Sequence, residues 1–238
     1  VLVNVSDFYV HDMYHLMATR TLDNLKGLGG QQERIEQIYQ EMMQTYADMK
    51  GREEATLMTT LDYWQWKDAD NHNIYDELIA KYDAYSAVME AYLLKAQWLS
   101  ANDRPAEALE VIDKALAKYP KYYRASALEE LKASILQSYL SANMLKMLYP
   151  GEEAELAIDF RNQRHVEVKL FATQFTELPD DEKTEAKDIQ KLPLQQLQSW
   201  QFELKPEKQK ADDPVSVKNA AYLQHKNTFK IQAPEKPG

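Results

Sequence analysis

Residues 149–175 constrain the fold more than any other stretch of the chain. After Pro150 and Gly151, apolar side chains fall at every second position: Ala154, Leu156, Ile158 and Phe160, then Val166, Val168 and Leu170. A spacing of two sends successive side chains to opposite faces of an extended strand. One row can then be buried while Glu155, Asp159, Glu167 and Lys169 stay in water. Before Pro150 the apolar spacing is three and four, the period of a helix. The two alternating runs predict a half-buried hairpin with 161–165 as its polar turn, although the Asn-Gly or Asp-Gly pair of a tight two-residue turn is missing.

A length of 238 residues allows two ordinary domains, and the change of period predicts a helical domain over 1–143 and a strand domain over 144–233. The tail 234–238, with its prolines and charges, reads as a linker. With Val1 in place of Met at the start, the chain reads as a piece of something longer. No stretch approaches the roughly 20 apolar residues that cross a bilayer, so no transmembrane segment is expected. The chain has no cysteine, which removes disulfides and thiolate chemistry from these residues. The net charge is −10, and 1–143 carries most of it, with 22 acidic against 14 basic residues. A polyanion would be repelled there, and no Lys/Arg cluster stands ready to release counterions, so nucleic acid is not an expected partner.

Along the helical half, Ser6 can cap a helix that runs to about residue 25 and is ended by Gly27, Gly29 and Gly30. Its His11-Asp-Met-Tyr-His15 puts two imidazoles on one face, as in a zinc helix. Asp12 stands where a longer Glu would have to reach a metal-bound water, and no third ligand is evident, so an ordinary helix surface is the better reading and no metal or cofactor is expected. A second helix spans 32–50 through Ile35, Ile38, Tyr39, Met42, Tyr46 and Met49, and a third spans 53–67 through Leu57, Leu61 and Trp64. Tyr63, Trp64 and Trp66 can form a stacking platform for a sugar or a peptide, although such rings are more often core. With Tyr92 further on they make up the candidate interaction surface. Asp68-Ala-Asp-Asn-His-Asn73 resembles a calcium loop but has Asn73 where the sharp turn needs Gly and Ile79 where a bidentate Glu belongs.

Residues 89–120 resemble one tetratricopeptide repeat. Tyr92 takes the large aromatic position, Ala96 the small one, a turn falls at Asn102-Asp-Arg-Pro105, and Ala108, Ile112, Ala115 and Pro120 follow. One repeat cannot bury its face alone, so the other helices are expected to stack on it in an αα-hairpin array. The next helix is predicted over 124–140.

In the second half a first strand is predicted over 144–149, followed by the hairpin, a charged excursion over 175–191 and a strand through Trp200, Phe202 and Leu204. Short strands at 215–217, 221–223 and 229–231 complete an antiparallel β-sandwich of macroglobulin or immunoglobulin type. Neither a Gly-x-Ser-x-Gly elbow nor a phosphate-cradling glycine loop occurs, and no catalytic residue is assigned.

Tyr149-Pro-Gly-Glu-Glu-Ala-Glu-Leu-Ala-Ile-Asp-Phe-Arg-Asn162, followed by Val166-Glu-Val-Lys-Leu-Phe171, resembles the first macroglobulin-type domain of large bacterial α2-macroglobulin-like proteins. Tyr14-His-Leu-Met-Ala-Thr-Arg-Thr-Leu22 is similar to a helix near the start of such proteins, and a helical region of tetratricopeptide character precedes the sandwich in some of them. The ending Asn227-Thr-Phe-Lys-Ile231 lacks the family's usual Gly-x-Tyr, and the Cys-Gly-Glu-Gln of its thioester is absent. The resemblance implies a cell-envelope protein, periplasmic or lipid-anchored, of the protease-trapping type. This stretch would be its non-enzymatic scaffold, with other proteins such as proteases, or other domains of a longer chain, as partners. The runner-up is a free-standing tetratricopeptide-type adaptor with an appended sandwich.

Overall fold

The computed structural model describes residues 2–49, 51–67, 73–144, 148–172, 194–206 and 214–235, with the backbone alone at 2–11 and 214–216. Among these residues helices come first and antiparallel strands follow. The chain divides into two compact units, residues 1–102 with 107–132, and residues 103–106 with 133–238. Among the described residues no helix is long and apolar enough to cross a membrane.

The first unit holds α1 (Leu2–Leu28), α2 (Gln32–Ala47), α3 (Glu53–Lys67), α4 (Asn73–Lys81), a 3-10 turn (Ser86–Val88), α5 (Met89–Ala101), most of α6 (Pro105–Lys118) and the start of α7 (Ala125–Leu136). The spacing of Ile35, Ile38, Tyr39, Met42 and Tyr46 places all five on the buried stripe of α2, as a period of 3.6 requires. They pack with Leu22 of α1 and Tyr63 of α3 in one cluster. In α5 and α6 the alanines Ala96, Ala108 and Ala115 are fully buried, which is what lets helix axes come close. Pro105 opens α6 where its missing N–H removes no helical hydrogen bond. Asp103, in the turn before it, adopts a left-handed φ of 57°.

The second unit contains two sheets. β1 (Tyr139–Met144), β2 (Glu153–Arg161) and β5 (His225–Gln232) form one, in the order β1-β2-β5, and β3 (His165–Ala172) pairs with β4 (Gln195–Glu203) in the other. All three pairings are antiparallel. The short helix α8 (Pro214–Ala220) lies between β4 and β5 in sequence. Leu156, Ile158 and Phe160 of β2 and Leu204 beyond β4 are the buried cluster, with Val166, Val168, Phe202, Phe229 and Ile231 packed against it. Buried Asn219 accepts the Ala106 N–H at 2.7 Å within this unit.

Five expectations are corrected here. The alternating runs 154–160 and 166–170 are strands, but they are not a hairpin: both edges of β2 are taken by β1 and β5, and the link 162–164 carries the chain to the other sheet. Asn162 sits in that link at φ 55° and its Nδ2 donates to the carbonyls of Ile135 and Gln137 at 2.8 and 3.2 Å. Asparagine tolerates this left-handed backbone better than a branched residue would. The helix expected to reach residue 140 stops at Leu136, and the first strand begins at Tyr139 and not at Met144, with 145–147 of the expected strand outside the described residues. Residues 215–217 are helix, and 221–223 are turn and bend. The excursion over 175–191 and the calcium-like stretch up to residue 72 lie outside the described residues.

Candidate functional site

A cavity of 420 Å³ opens within the helical unit. α1 contributes His15, Thr19, Leu22 and Asp23; α2 contributes Tyr39 and Met42; α3 contributes Met58, Thr59, Leu61, Asp62 and Gln65; α5 contributes Glu90, Leu93, Leu94 and Gln97; and Arg124 precedes α7. Leu22, Met42, Leu61 and Leu93 are buried side chains with one flank on the cavity, while Met58 is 41% exposed. A floor of Leu and Met suits the side chains of another protein, because unbranched Met adapts to irregular shapes.

Several polar groups of the lining are held by neighbouring side chains. Tyr39 donates its hydroxyl to Asp62, and burial together with that carboxylate pushes the phenol pKa well above its usual range. Lys26 reaches the same carboxylate at 3.4 Å. Glu90 is buried, and it receives Arg124 at 2.6 Å and the Tyr122 hydroxyl at 3.1 Å. Burial and the neighbouring Tyr123 and Glu90 in turn push the Tyr122 phenol upward. His15 shares a hydrogen bond of 2.5 Å with the Tyr46 hydroxyl, whose pKa burial pushes up to about 12. The Thr19 hydroxyl donates to the His15 carbonyl at 2.8 Å. Leu22, Met42, Leu61 and Leu93 thus share the lining with Asp23, an exposed carboxylate of α1.

The structure brings three of the four proposed surface residues together. Tyr63 and Trp66 pack on Tyr39 and Trp64 packs on Tyr63, with ring centroids 5.5 Å apart for Tyr39 and Tyr63, 5.8 Å for Tyr39 and Trp66, and 5.3 Å for Tyr63 and Trp64. Tyr63 is buried and the two tryptophans are half-buried. The Tyr63 hydroxyl donates to Glu36 at 2.7 Å, and Lys67 binds both at 2.7 and 2.8 Å. Tyr92 lies in α5 apart from them, 2% exposed, with its hydroxyl lacking a protein partner. Tyr63 and Tyr92 are therefore placed in the interior, not on one shared face. The His15 ring faces Tyr46, and the His11 side chain lies outside the described residues. Among the described residues no three His, Cys, Asp or Glu side chains converge closely enough to hold a metal ion.

Pattern reading did not find the cavity, because four helices and a loop build it. One signal was present: Glu90 is a lone charge inside the apolar run Val88-Met-Glu-Ala-Tyr-Leu93. A carboxylate in such a run needs a cationic partner from elsewhere in the fold, and Arg124 supplies it. No family model, no curated protein and no solved structure matches this chain.

Proposed function

We propose that the chain is a non-enzymatic scaffold and protein-interaction region, the N-terminal part of a cell-envelope α2-macroglobulin-like protein of the protease-trapping type, periplasmic or lipid-anchored. In this reading the helices are a tetratricopeptide-like αα-hairpin array and the strands a macroglobulin-like β-sandwich. Support for the family comes from 149–171. Tyr149-Pro-Gly-Glu152 is a turn closed by the Glu152 N–H on the Tyr149 carbonyl at 3.0 Å, with Gly151 at φ 75°, and it leads directly into β2. Positive φ at that position is what a type II turn asks of Gly. Phe160-Arg161-Asn162 ends β2, with Arg161 and Asn162 both tied to the Gln137 carbonyl. An apolar cluster that draws on both sheets supports the sandwich.

The single observation that carries the function is the helical cavity, lined by Leu and Met side chains, with Tyr39, Asp62, Glu90 and Arg124 already paired and exposed Asp23 among its lining. Such a lining suits a segment of a partner protein that carries Leu or Met and a basic residue. The test is a titration with a fluorescent synthetic peptide bearing Leu, Met and Lys at helical spacing, followed by mass analysis of the peptide. Binding in the micromolar range, about tenfold weaker in Met58→Glu, with the peptide recovered intact, is the expected outcome. Equal binding by Met58→Glu, or a processed peptide, overturns the proposal. Met58 is already exposed, so its substitution leaves the core in place.

A further inference from the structure

Among the described residues the two sheets of the second unit are unequal, three strands against two, and the mismatch falls at one place. Phe202 of β4 stacks on Phe229 of β5, with centroids 4.2 Å apart and planes at 19°. Asn227 of β5 also exchanges hydrogen bonds of 2.8 and 2.9 Å with the Lys205 backbone just beyond β4. These contacts set β4 over β5 and so β3 over β2. Among the described residues the second sheet has no third strand to lie over β1. Its Leu140, Ala142 and Met144 stand directly opposite Phe160, Ile158 and Leu156, which are 2%, 0% and 7% exposed. Directly opposed side chains share a face of a sheet, so these three belong to the interior row, yet Leu140 and Met144 are 47% and 45% exposed. A cavity of 510 Å³ reaches this row at Met144, and its lining also includes Leu156, Val168, Leu170, Trp200 and Ile231.

An uncovered apolar row by itself accepts many partners, and the backbone beside it narrows the choice. The Leu204 N–H donates to the Arg164 carbonyl at 2.8 Å, in line with the register that sets Val166 opposite Phe202 and Val168 opposite Trp200. In an antiparallel ladder hydrogen-bonded pairs alternate with non-bonded ones. Val166 and Val168 therefore turn their N–H and C=O groups to β4, while those of His165, Glu167 and Lys169 turn to the opposite edge, which no described strand pairs. A row of open backbone groups next to a row of uncovered apolar side chains is satisfied by one kind of occupant, a strand. We propose that the free edge of β3 accepts an extended segment of a partner protein with apolar side chains at alternate positions. Strands of a sheet lie about 4.8 Å apart, so this one sits over β1 and covers Leu140 and Met144. Its other face continues the exposed row of His165, Glu167 and Lys169. Glu167 and Lys169 already pair at 2.9 Å, so that face asks for polar residues without demanding one sign of charge. This site is separate from the helical cavity and stands or falls without it.

Residue-resolved hydrogen–deuterium exchange tests the assignment, with the alternating nonapeptide Thr-Val-Lys-Val-Thr-Val-Lys-Val-Thr as the probe. The peptide is expected to slow exchange at His165, Glu167 and Lys169 by about tenfold or more. Lys169→Pro should abolish the effect, since it removes one open-edge N–H and no β3–β4 bond. Met144→Lys, at a position already exposed, should weaken it, and this variant keeps the test decisive if Lys169→Pro does not fold. Three results overturn the proposal. One is protection of these amides in the chain alone at every concentration, which gives the position to another segment of this chain. The second is protection that grows with protein concentration alone, which gives it to a second copy. The third is a probe that leaves these amides unchanged or acts equally on Lys169→Pro.

Discussion

Large side chains with polar tips fill the helical unit, where Tyr39, Tyr46 and Tyr63 are buried and each hydroxyl reaches a hydrogen-bonding partner. In the strand unit the buried cluster is four aliphatic and aromatic side chains, Leu156, Ile158, Phe160 and Leu204, with half-buried neighbours around it. The helices thus tie polar tips into their main cluster, whereas the cluster of the sheets is apolar throughout, with buried Asn219 and His225 outside it. The units should respond to different substitutions, methylene loss in the sheets and loss of a hydrogen-bonding partner in the helices.

The largest expected effect is on the row of β2. Phe160 and Leu140 are direct cross-strand partners on one face, but Phe160 is 2% and Leu140 47% exposed. Phe160→Ala should destabilise the strand unit by about 3–5 kcal/mol, from lost transfer free energy and the cavity left behind. Leu140→Ala should cost under about 1 kcal/mol in the chain alone. Denaturant-dependent hydrogen exchange at the amides of β2 and β3 measures both. Equal effects at the two positions would mean that Leu140 is covered, and the contrast within the sheet would fail.

Next comes the ion pair inside the helices. Glu90 is 5% exposed and depends on Arg124 and Tyr122. Removing one partner of a buried pair leaves a charge without compensation, a loss of about 3–5 kcal/mol when both partners are buried. The Arg124 side chain is 47% exposed and Tyr122 remains, so Arg124→Ala should cost about 2 kcal/mol, and Arg124→Ala/Glu90→Gln less than that. Circular dichroism at the helix band during urea unfolding gives the numbers. A double variant as unstable as the single one would show that the loss comes from packing of the arginine stem.

Two tyrosines sharpen the same contrast at lower amplitude. The Tyr39 hydroxyl serves Asp62, and Tyr39→Phe should cost about 1 kcal/mol, as befits a bond to a half-exposed carboxylate. The Tyr92 hydroxyl is buried without a protein partner, and Tyr92→Phe should be neutral or stabilise by up to about 1 kcal/mol, because an unmet donor leaves the interior. A destabilising Tyr92→Phe would show that this hydroxyl has a partner in solution.

How far the fold was legible follows from what a period records. The bounds of α3 and the start of α2 matched their apolar stripes, and the inward row of β2 was read correctly, because periodicity reports which face is buried. It does not report which strand lies alongside, so β2 and β3 looked like a hairpin although β2 pairs with β1 and β5. The helix α7 was read too long because Tyr139 falls four residues after Ile135 and extends the helical pattern. Pairing of 139–144 with β2 overrides it. Val215 and Val217 are too few to separate strand from helix, and Pro214 opens α8. At the candidate site, the run Tyr63-Trp-Gln-Trp66 looks the same as platform or core; what distinguishes them is whether a carboxylate such as Glu36 or Asp62 stands within reach, and those lie 27 and 23 residues away from the tyrosines they serve.

The smallest effect is electrostatic and sets one exposed pair in each unit side by side. In the helices, Lys67 and then Tyr63 hydrogen-bond Glu36 and hold its carboxyl below the ordinary 4.5, while Lys67 is pushed up to about 12. In the sheets, Lys169 and then Ser199 do the same for Glu167. A carboxylate whose folded pKa is depressed contributes stability above its unfolded pKa and loses it as pH falls through the folded value. Both pairs therefore act in the same acidic window, below 4.5. All four charged groups are solvated, so the change in overall stability should be small and should shrink further with salt. Carboxyl carbon NMR across that window should give midpoints below 4.5 for Glu36 and Glu167. Lys67→Met should move Glu36 up and leave Glu167 in place, and Lys169→Met should do the reverse. Tyr63 donates to Glu36 from a buried ring, whereas Ser199 reaches Glu167 from an exposed strand position. Glu36 should accordingly keep part of its depression when its lysine is lost, and Glu167 should return close to the ordinary value; equal recovery at both would remove the distinction between buried and solvated hydroxyl partners.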